Sequence, residues 1–559
     1  MPTYFTIPHK LKKRKLSGTL EPTKHKSTQK KPHKDLKHNS RKPIRDESIS
    51  GSDDESVVDT SKRLKKASPD SLASDSSGAE DETAAERRLK LAERYLENVR
   101  TEVDEVGFDA EQIDRDLIAE RLLEDNAESK GILYRRLAAN LNFEDARHSW
   151  ARWNSDTVTS VATCAPWAYT VSHDIGLAKW KIQDLPDNQW IPKLKKNKPK
   201  KPKPPPKRRP EQVAFVKGSK LKSNDTSYQG HVDKILCVAA SQDGKYVVTG
   251  GKDRKIIVWD AITLKCLRVF TQHRDSVTGL VFRRGSNQLY SSSKDRTIKI
   301  WSLDELAYVE TLFGHQDEVL DISSLAQERC VSVGARDRTA RLWKVAEETQ
   351  LVFRGGGETK LHSDKPKSSE GSIDRVAMID EEMFVTGSDN GSISLWALHK
   401  KKPIFTLPFC HGFENQEPLD EVASEADADL KNYLEAQPRW ITALATVPYS
   451  DVVLSGSWDG SLRVWRVSDD KKKLEAIGAV GNRISDATIE LKNDTEVHDN
   501  LVTQRAIKGI INDISVFERG DRGKDGICIM AAVGREHKMG RWQKVKGKNG
   551  VVVFEVSYK

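Results

Sequence analysis

The chain has 559 residues, of which 37% are hydrophobic and 31% charged, with 92 Lys and Arg against 83 Asp and Glu for a net charge of +9. That length and apolar share hold a large globular body plus unfolded extensions, and no apolar run approaches the roughly 18 residues that span a membrane. Six cysteines stand singly, with no C-x-x-C and no paired His, which excludes a zinc ribbon or a redox pair and fits small core residues in a reduced, intracellular compartment.

Residues 1–82 are rich in Lys, Ser, Asp and Pro, and carry almost no strand or helix period. They read as a disordered tail, because too little apolar surface is present to offset ordering entropy. Basic charge is concentrated there: residues 1–45 hold 14 Lys or Arg against Glu21 and Asp35. A second run, Lys193 to Arg209, adds ten with no acid, so the rest of the chain is net acidic. Two dense basic segments suit attraction to a polyanion. Lys12, Lys13, Arg14 and Lys15 form a compact cluster of the kind read by nuclear import, and Lys62 to Lys66 contains another.

Residues 83–145 read as a helical N-terminal segment. Leu89, Ala92, Leu96 and Val99 recur at steps of three and four, as do Ile113, Leu117, Ile118 and Leu122. Asp109 is placed to cap the second helix, with Gln112 three positions on. The stripes are thin, so this segment is expected to dock on the main body or on a partner.

From residue 146 to 559 one spacing dominates. Seven times an acidic or amide residue is followed six positions later by tryptophan: Asp174/Trp180, Asp253/Trp259, Asp295/Trp301, Asp337/Trp343, Asn390/Trp396, Asp459/Trp465 and Glu536/Trp542. In "TGGKDRKIIVWD" the runs on either side of Asp253 alternate as strands do, and Gly-Lys-Asp-Arg is the tight turn between them. Upstream of three units lies a His: His231, His273 and His315. These residues resemble the WD-repeat family, in which each unit is a four-stranded blade and His, Asp, Ser or Thr, and Trp form a buried network. Steps of 42 residues from Trp259 to Trp301 and again to Trp343 match a blade of about 40–45 residues. The resemblance implies an all-β, seven-bladed propeller, with His231, Asp253, Trp259, His273, Asp295, Trp301, His315, Asp337 and Trp343 as structural residues. Longer steps elsewhere mark inserted loops: basic 183–229, then 354–371, acidic 397–438, and 467–508. "VVVFEV" (Val551 to Val556) is a candidate for the last outer strand, and the N-terminal flank is left open as a second contributor to closure.

Longer strings narrow the resemblance. "RRLKLAERYLENVR", "HRDSVTGLVFRRGSNQLYSSSKDRTIKIW", "YVETLFGHQDEV", "EETQLVFRG" and "GREHKMGRW" are similar to the WD-repeat proteins of the U3 small nucleolar ribonucleoprotein, over roughly residues 83–556. That resemblance implies a nucleolar protein that joins the U3 box C/D particle at the B/C motif of U3 RNA. It would sit beside the small kink-turn-binding protein and support early pre-ribosomal RNA processing for the small subunit. Asn390 and Glu536 depart from the blade aspartate, and residues 355–371 interrupt the fifth unit.

In such a propeller the aspartate turn and the His loop share a face. Lys252 and Arg254, Lys294 and Arg296, and Arg336 and Arg338 are therefore gathered from three consecutive blades, and with Arg274 and Arg535 they form a candidate RNA-binding arc. Arginine forks grip phosphate and stack on unpaired bases. The same residues also fit surface charges bonded to neighbours such as Asp275. No catalytic constellation, metal-ligand set or cofactor motif is readable: Gly355 to Gly357 lack the Lys-Ser/Thr of a phosphate loop. The rival reading is a nuclear WD-repeat scaffold or chromatin reader that takes peptides through its central opening.

Overall fold

The computed structural model describes residues 111–152, 156–185, 189, 207–225, 227–356, 371–413, 437–481, 507–520 and 523–559. The import clusters, the first predicted helix and all but the last three residues of the 193–209 run lie outside that set.

Seven antiparallel four-stranded sheets form a ring, each beginning with its innermost strand. Blades 1 to 6 span 158–217, 235–270, 277–313, 319–354, 373–407 and 443–479, and blade 7 takes three strands from 510–556. Seven apolar clusters fill the seven seams between blades, so each blade is covered on both faces. This explains why middle strands read as continuous apolar runs. In blade 2, Val247 and Val248 on one strand and Ile256, Ile257 and Val258 on the next are all at most 1% exposed. The outer strands, such as Ala307–Phe313, are mostly exposed.

The innermost strands share a further device. In blades 1–5 and 7 the pairing slips by one residue near the start of the innermost strand, as between Val158 and Ser160 or Val277 and Gly279. Such bulges turn groups aside from the ladder. The residues skipped there stitch blade to blade: Thr159 donates to the Ile235 carbonyl at 2.9 Å and Thr278 to that of Val319 at 2.6 Å, and Thr442, just ahead of the innermost strand of blade 6, donates to that of Ile511 at 2.6 Å. Arg375 Nε donates to the Thr442 carbonyl at 2.6 Å, and Asn512 Nδ2 to that of Val158 at 2.8 Å.

The ring closes differently from the expectation. Val551 to Val556 belong to the third strand of blade 7, Gly550–Val556, and the outer strand is β1, Arg147–Arg152, from the N-terminal flank. Blade 7 thereby joins the two ends of the propeller in one sheet. Glu536 and Trp542 therefore do not mark a blade turn. They sit in a separate hairpin, Glu536–His537 paired with Gly540–Lys544, inserted before that third strand.

Helix α1 spans Glu111–Ser129, and the residues after it are not helical. They run as a strap across the ring. The Arg135 N–H donates to the Tyr449 carbonyl at 2.8 Å, and the N–H groups of Leu137 and Ala138 donate to Asp451 Oδ1 at 2.7 and 3.0 Å. Arg135 also pairs with Glu518. Three spans read above as loops contain blade strands: Glu211–Lys217, Phe405–Leu407 and Leu474–Ala479 are the outer strands of blades 1, 5 and 6. Their exposure, and the three-residue length of the second, conceal the strand period. No helix of the described residues is long and apolar enough to cross a membrane. All six cysteines are free thiols.

Candidate nucleic-acid interface

The face that carries the predicted arc is organised by the His–Asp networks. In blade 2, His231 Nδ1 lies 3.0 Å from Asp253 Oδ2, its Nε2 lies 2.7 Å from Thr249 Oγ1, and Trp259 Nε1 donates to the same hydroxyl at 2.8 Å. A carboxylate only accepts, so Nδ1 carries the proton, and the threonine hydroxyl donates to Nε2 while accepting from tryptophan. Asp253 also accepts the N–H groups of Val232 and Lys255. One buried carboxylate thus clamps the loop entering the blade onto the turn between its middle strands. His273, Asp295, Ser291 and Trp301 repeat this in blade 3, and His315, Asp337, Ser332 and Trp343 in blade 4.

A fourth network escaped the sequence reading. In blade 6, His411 Nδ1 is 3.0 Å from Asp459, Nε2 is 2.8 Å from Ser455 Oγ, and Trp465 donates to Ser455 at 2.9 Å. His411 lies 48 residues before Asp459, whereas the other pairs are 22 apart, so the insertion hides the spacing. Burial alone would push the Asp459 carboxyl up; the His411 beside it holds it down to about 2. Asp253, Asp295 and Asp337 are likewise held below the usual carboxylate range, their histidines overcoming burial. In blade 5, Asn390 keeps the turn by accepting the Ser392 N–H at 3.0 Å, and Trp396 still donates to Thr386.

The residue after each turn aspartate is left-handed. Ile175, Arg254, Arg296 and Arg338 have φ of 65°, 65°, 67° and 51°, and the equivalents in blades 5 and 6 are Gly391 and Gly460. Left-handed backbone costs an L-residue about 1–2 kcal/mol that glycine avoids. Three consecutive blades thus keep arginine where glycine is the easier choice.

Lys252, Arg254, Arg274, Arg296, Arg336, Arg338 and Arg535 are exposed, and Lys294 is half-buried. The backbone N–H groups of Lys252 and Lys294 tie their turns to the neighbouring loops at Lys234 and Ser276, and that of Arg336 is held by Asp317. Three of the eight side chains have partners: Lys294 pairs with Glu318 at 2.7 Å, Arg338 donates to the Gly371 carbonyl, and Arg535 to that of Gly547. The side chains of Lys252, Arg254, Arg274, Arg296 and Arg336 make no hydrogen bond or ion pair among the described residues, and Asp275 instead holds Ser276. Lys294, Arg336 and Arg338 also border a cavity of about 470 Å³ walled by Trp440, Asp389 and Met539.

The central channel, about 640 Å³, is lined by all seven innermost strands. Lys538, at the tip of the inserted hairpin, is buried and borders both cavities. Burial brings its ammonium down to about 8, with Arg375 adding to the effect and Asp321 and Asp513 opposing it. The hairpin tip thereby lines the channel and the cavity that Lys294, Arg336 and Arg338 border.

The family model for "WD domain, G-beta repeat" matches residues 222–260, 264–302, 307–344 and 429–466. These are the blades that hold the four complete networks. Ribosomal RNA-processing protein 9 of Saccharomyces cerevisiae is 35% identical over 84% of this chain and 89% of its own length. U3 small nucleolar RNA-interacting protein 2 of Homo sapiens is 37% identical over 85% and 82%. A solved structure of U3-55K covers 73% of this chain and 98% of its own, with a TM-score of 0.54 at 29% identity. A crystal structure of RRP9 WD40 repeats gives 0.53, also at 29%.

Proposed function

We propose, from the premise that this chain belongs to the WD-repeat family of ribosomal RNA-processing protein 9 and the U3 small nucleolar RNA-interacting proteins, that it is a non-catalytic RNA-binding component of the U3 box C/D small nucleolar ribonucleoprotein. In this reading it contacts the B/C motif of U3 RNA beside the kink-turn-binding protein and supports early pre-ribosomal RNA processing for the small subunit in the nucleolus. The names of the relatives carry the particle and the process. One observation carries the surface: Arg254, Arg296 and Arg338 are left-handed in three consecutive blades, beside Lys252, Arg274 and Arg336, whose side chains have no partner among the described residues.

Exposed guanidinium groups in register along an arc match the backbone of a bulged RNA, whose phosphates and unstacked bases both bind arginine. Lys12, Lys13, Arg14 and Lys15 supply nuclear import, and the basic run 193–209 adds affinity without sequence choice. A peptide reader working through the channel would meet the buried ammonium of Lys538, which lines it beside the arc. Crosslinking of the protein in cells followed by sequencing of bound RNA tests the reading. U3 RNA is expected as the dominant species, with crosslinks in the B/C motif; no enrichment of U3 over other nuclear RNA would overturn it.

A further inference from the structure

Where the ring closes, three side chains from distant parts of the chain converge. Asp156 precedes the first strand of blade 1, His173 lies in that blade's turn, and Glu536 begins the inserted hairpin of blade 7. Their ligating atoms all lie within 4.8 Å of one another. His173 is 2% exposed, and its Nε2 lies 2.9 Å from the Lys538 carbonyl. A carbonyl only accepts, so Nε2 carries the proton and Nδ1 presents a lone pair. That Nδ1 is buried and has no hydrogen-bond partner.

A buried imidazole nitrogen without a hydrogen-bond partner, facing two carboxylates, brings three ligand atoms to one point, an arrangement that a cation satisfies. The histidine already has the outer contact typical of a metal ligand, its remote N–H held by a backbone carbonyl that sets ring orientation and tautomer. The segments that carry the two acids are held too. Asp156 Oδ1 accepts the Thr157 N–H at 2.8 Å. The Glu536 backbone is pinned by Thr157 Oγ1 on blade 1 and Asn512 Nδ2 on blade 7.

We propose that Asp156, His173 and Glu536 bind one divalent transition-metal ion, with Zn²⁺ the best match to one imidazole and two carboxylates. The ion would cross-link blade 1 to the blade 7 hairpin that carries Lys538, at the seam where the two ends of the propeller meet. Its role is structural, and it is independent of RNA binding. Sequence spacing could not reveal the set, since Glu536 lies 363 residues beyond His173.

The test uses untagged full-length protein, stripped with a chelator and dialysed, then titrated with Zn²⁺ or Mg²⁺ by calorimetry, with bound metal counted by mass spectrometry. Two variants accompany it. His173→Gln keeps a donor for the Lys538 carbonyl but replaces the imidazole nitrogen by a weakly ligating amide oxygen, and Asp156→Asn changes a partly exposed ligand. About one equivalent of Zn²⁺ should bind the parent at this site, with at least tenfold weaker binding in both variants. The metal-free variants should keep the parent's circular dichroism, and Zn²⁺ should raise the melting temperature of the parent alone. Histidines in the tail, such as His25 and His33, can add background that both variants retain. Full site occupancy in both variants, no binding by the parent, or saturation by Mg²⁺ in place of Zn²⁺ would overturn the proposal.

Discussion

Replacing Arg254 and Arg296 together by glycine should weaken RNA binding without weakening the fold. Both residues are left-handed, with φ of 65° and 67°, and neither side chain has a partner among the described residues. Glycine relieves about 1–2 kcal/mol of left-handed strain per site, while the freer unfolded chain returns about 0.4–1 kcal/mol. The net expectation is a gain of about 0–1.6 kcal/mol per site. RNA binding should move the other way. Two lost phosphate contacts reduce the slope of log K against log salt by about 1.4, at about 0.7 per contact for single strands. Together they should weaken binding roughly tenfold at fixed salt, which corresponds to about 1.4 kcal/mol. Denaturant unfolding and filter binding of U3 RNA over a salt series measure both. Loss of more than about 1 kcal/mol of stability, or an unchanged salt slope, would refute the reasoning, since the arginines would then be scaffold.

The acid limb of stability should follow the His–Asp networks. Asp459 is depressed from 3.8 to about 2, so its contribution, about 2 kcal/mol, is present above pH 4 and lost as pH falls through 2. His411→Ala should flatten that limb in denaturant titrations at each pH; an unchanged pH profile counts against the network. Asp451→Ala leaves the N–H groups of Leu137 and Ala138 buried without an acceptor and should cost roughly 2–4 kcal/mol, read by chemical unfolding. A cost under about 0.5 kcal/mol would mean that the strap is not fastened there. In the native protein only Cys164 and Cys266 should react quickly with an aromatic disulfide reagent. Cys237, Cys330, Cys410 and Cys528 are buried, and burial raises the Cys237 and Cys410 thiols to about 12. Rapid reaction of three or more thiols would show that the blades open.

The blades were legible because their chemistry is local. Asp253 and Trp259 are six residues apart, and the strands between them read as strands because both faces are buried. What stayed hidden depends on residues far apart in the chain. His411 meets Asp459 only across an insertion, and β1 becomes the outer strand of blade 7 by pairing Arg147 with Glu555. Glu536 and Trp542 copied the blade spacing inside a hairpin, so seven motifs gave the right number of blades while one pointed at the wrong strand. The outer strands of blades 1, 5 and 6 were read as loops because exposure leaves them little apolar period. The arc was legible as residue types, but the left-handed backbone that distinguishes Arg254, Arg296 and Arg338 was not.

The most direct test of the arc is charge reversal at Arg296→Glu combined with Arg338→Glu, with U3 RNA affinity measured at one fixed salt concentration and the fold checked by circular dichroism. The arc predicts a folded protein with markedly weaker U3 binding. Full retention of U3 RNA by the folded double variant would contradict it.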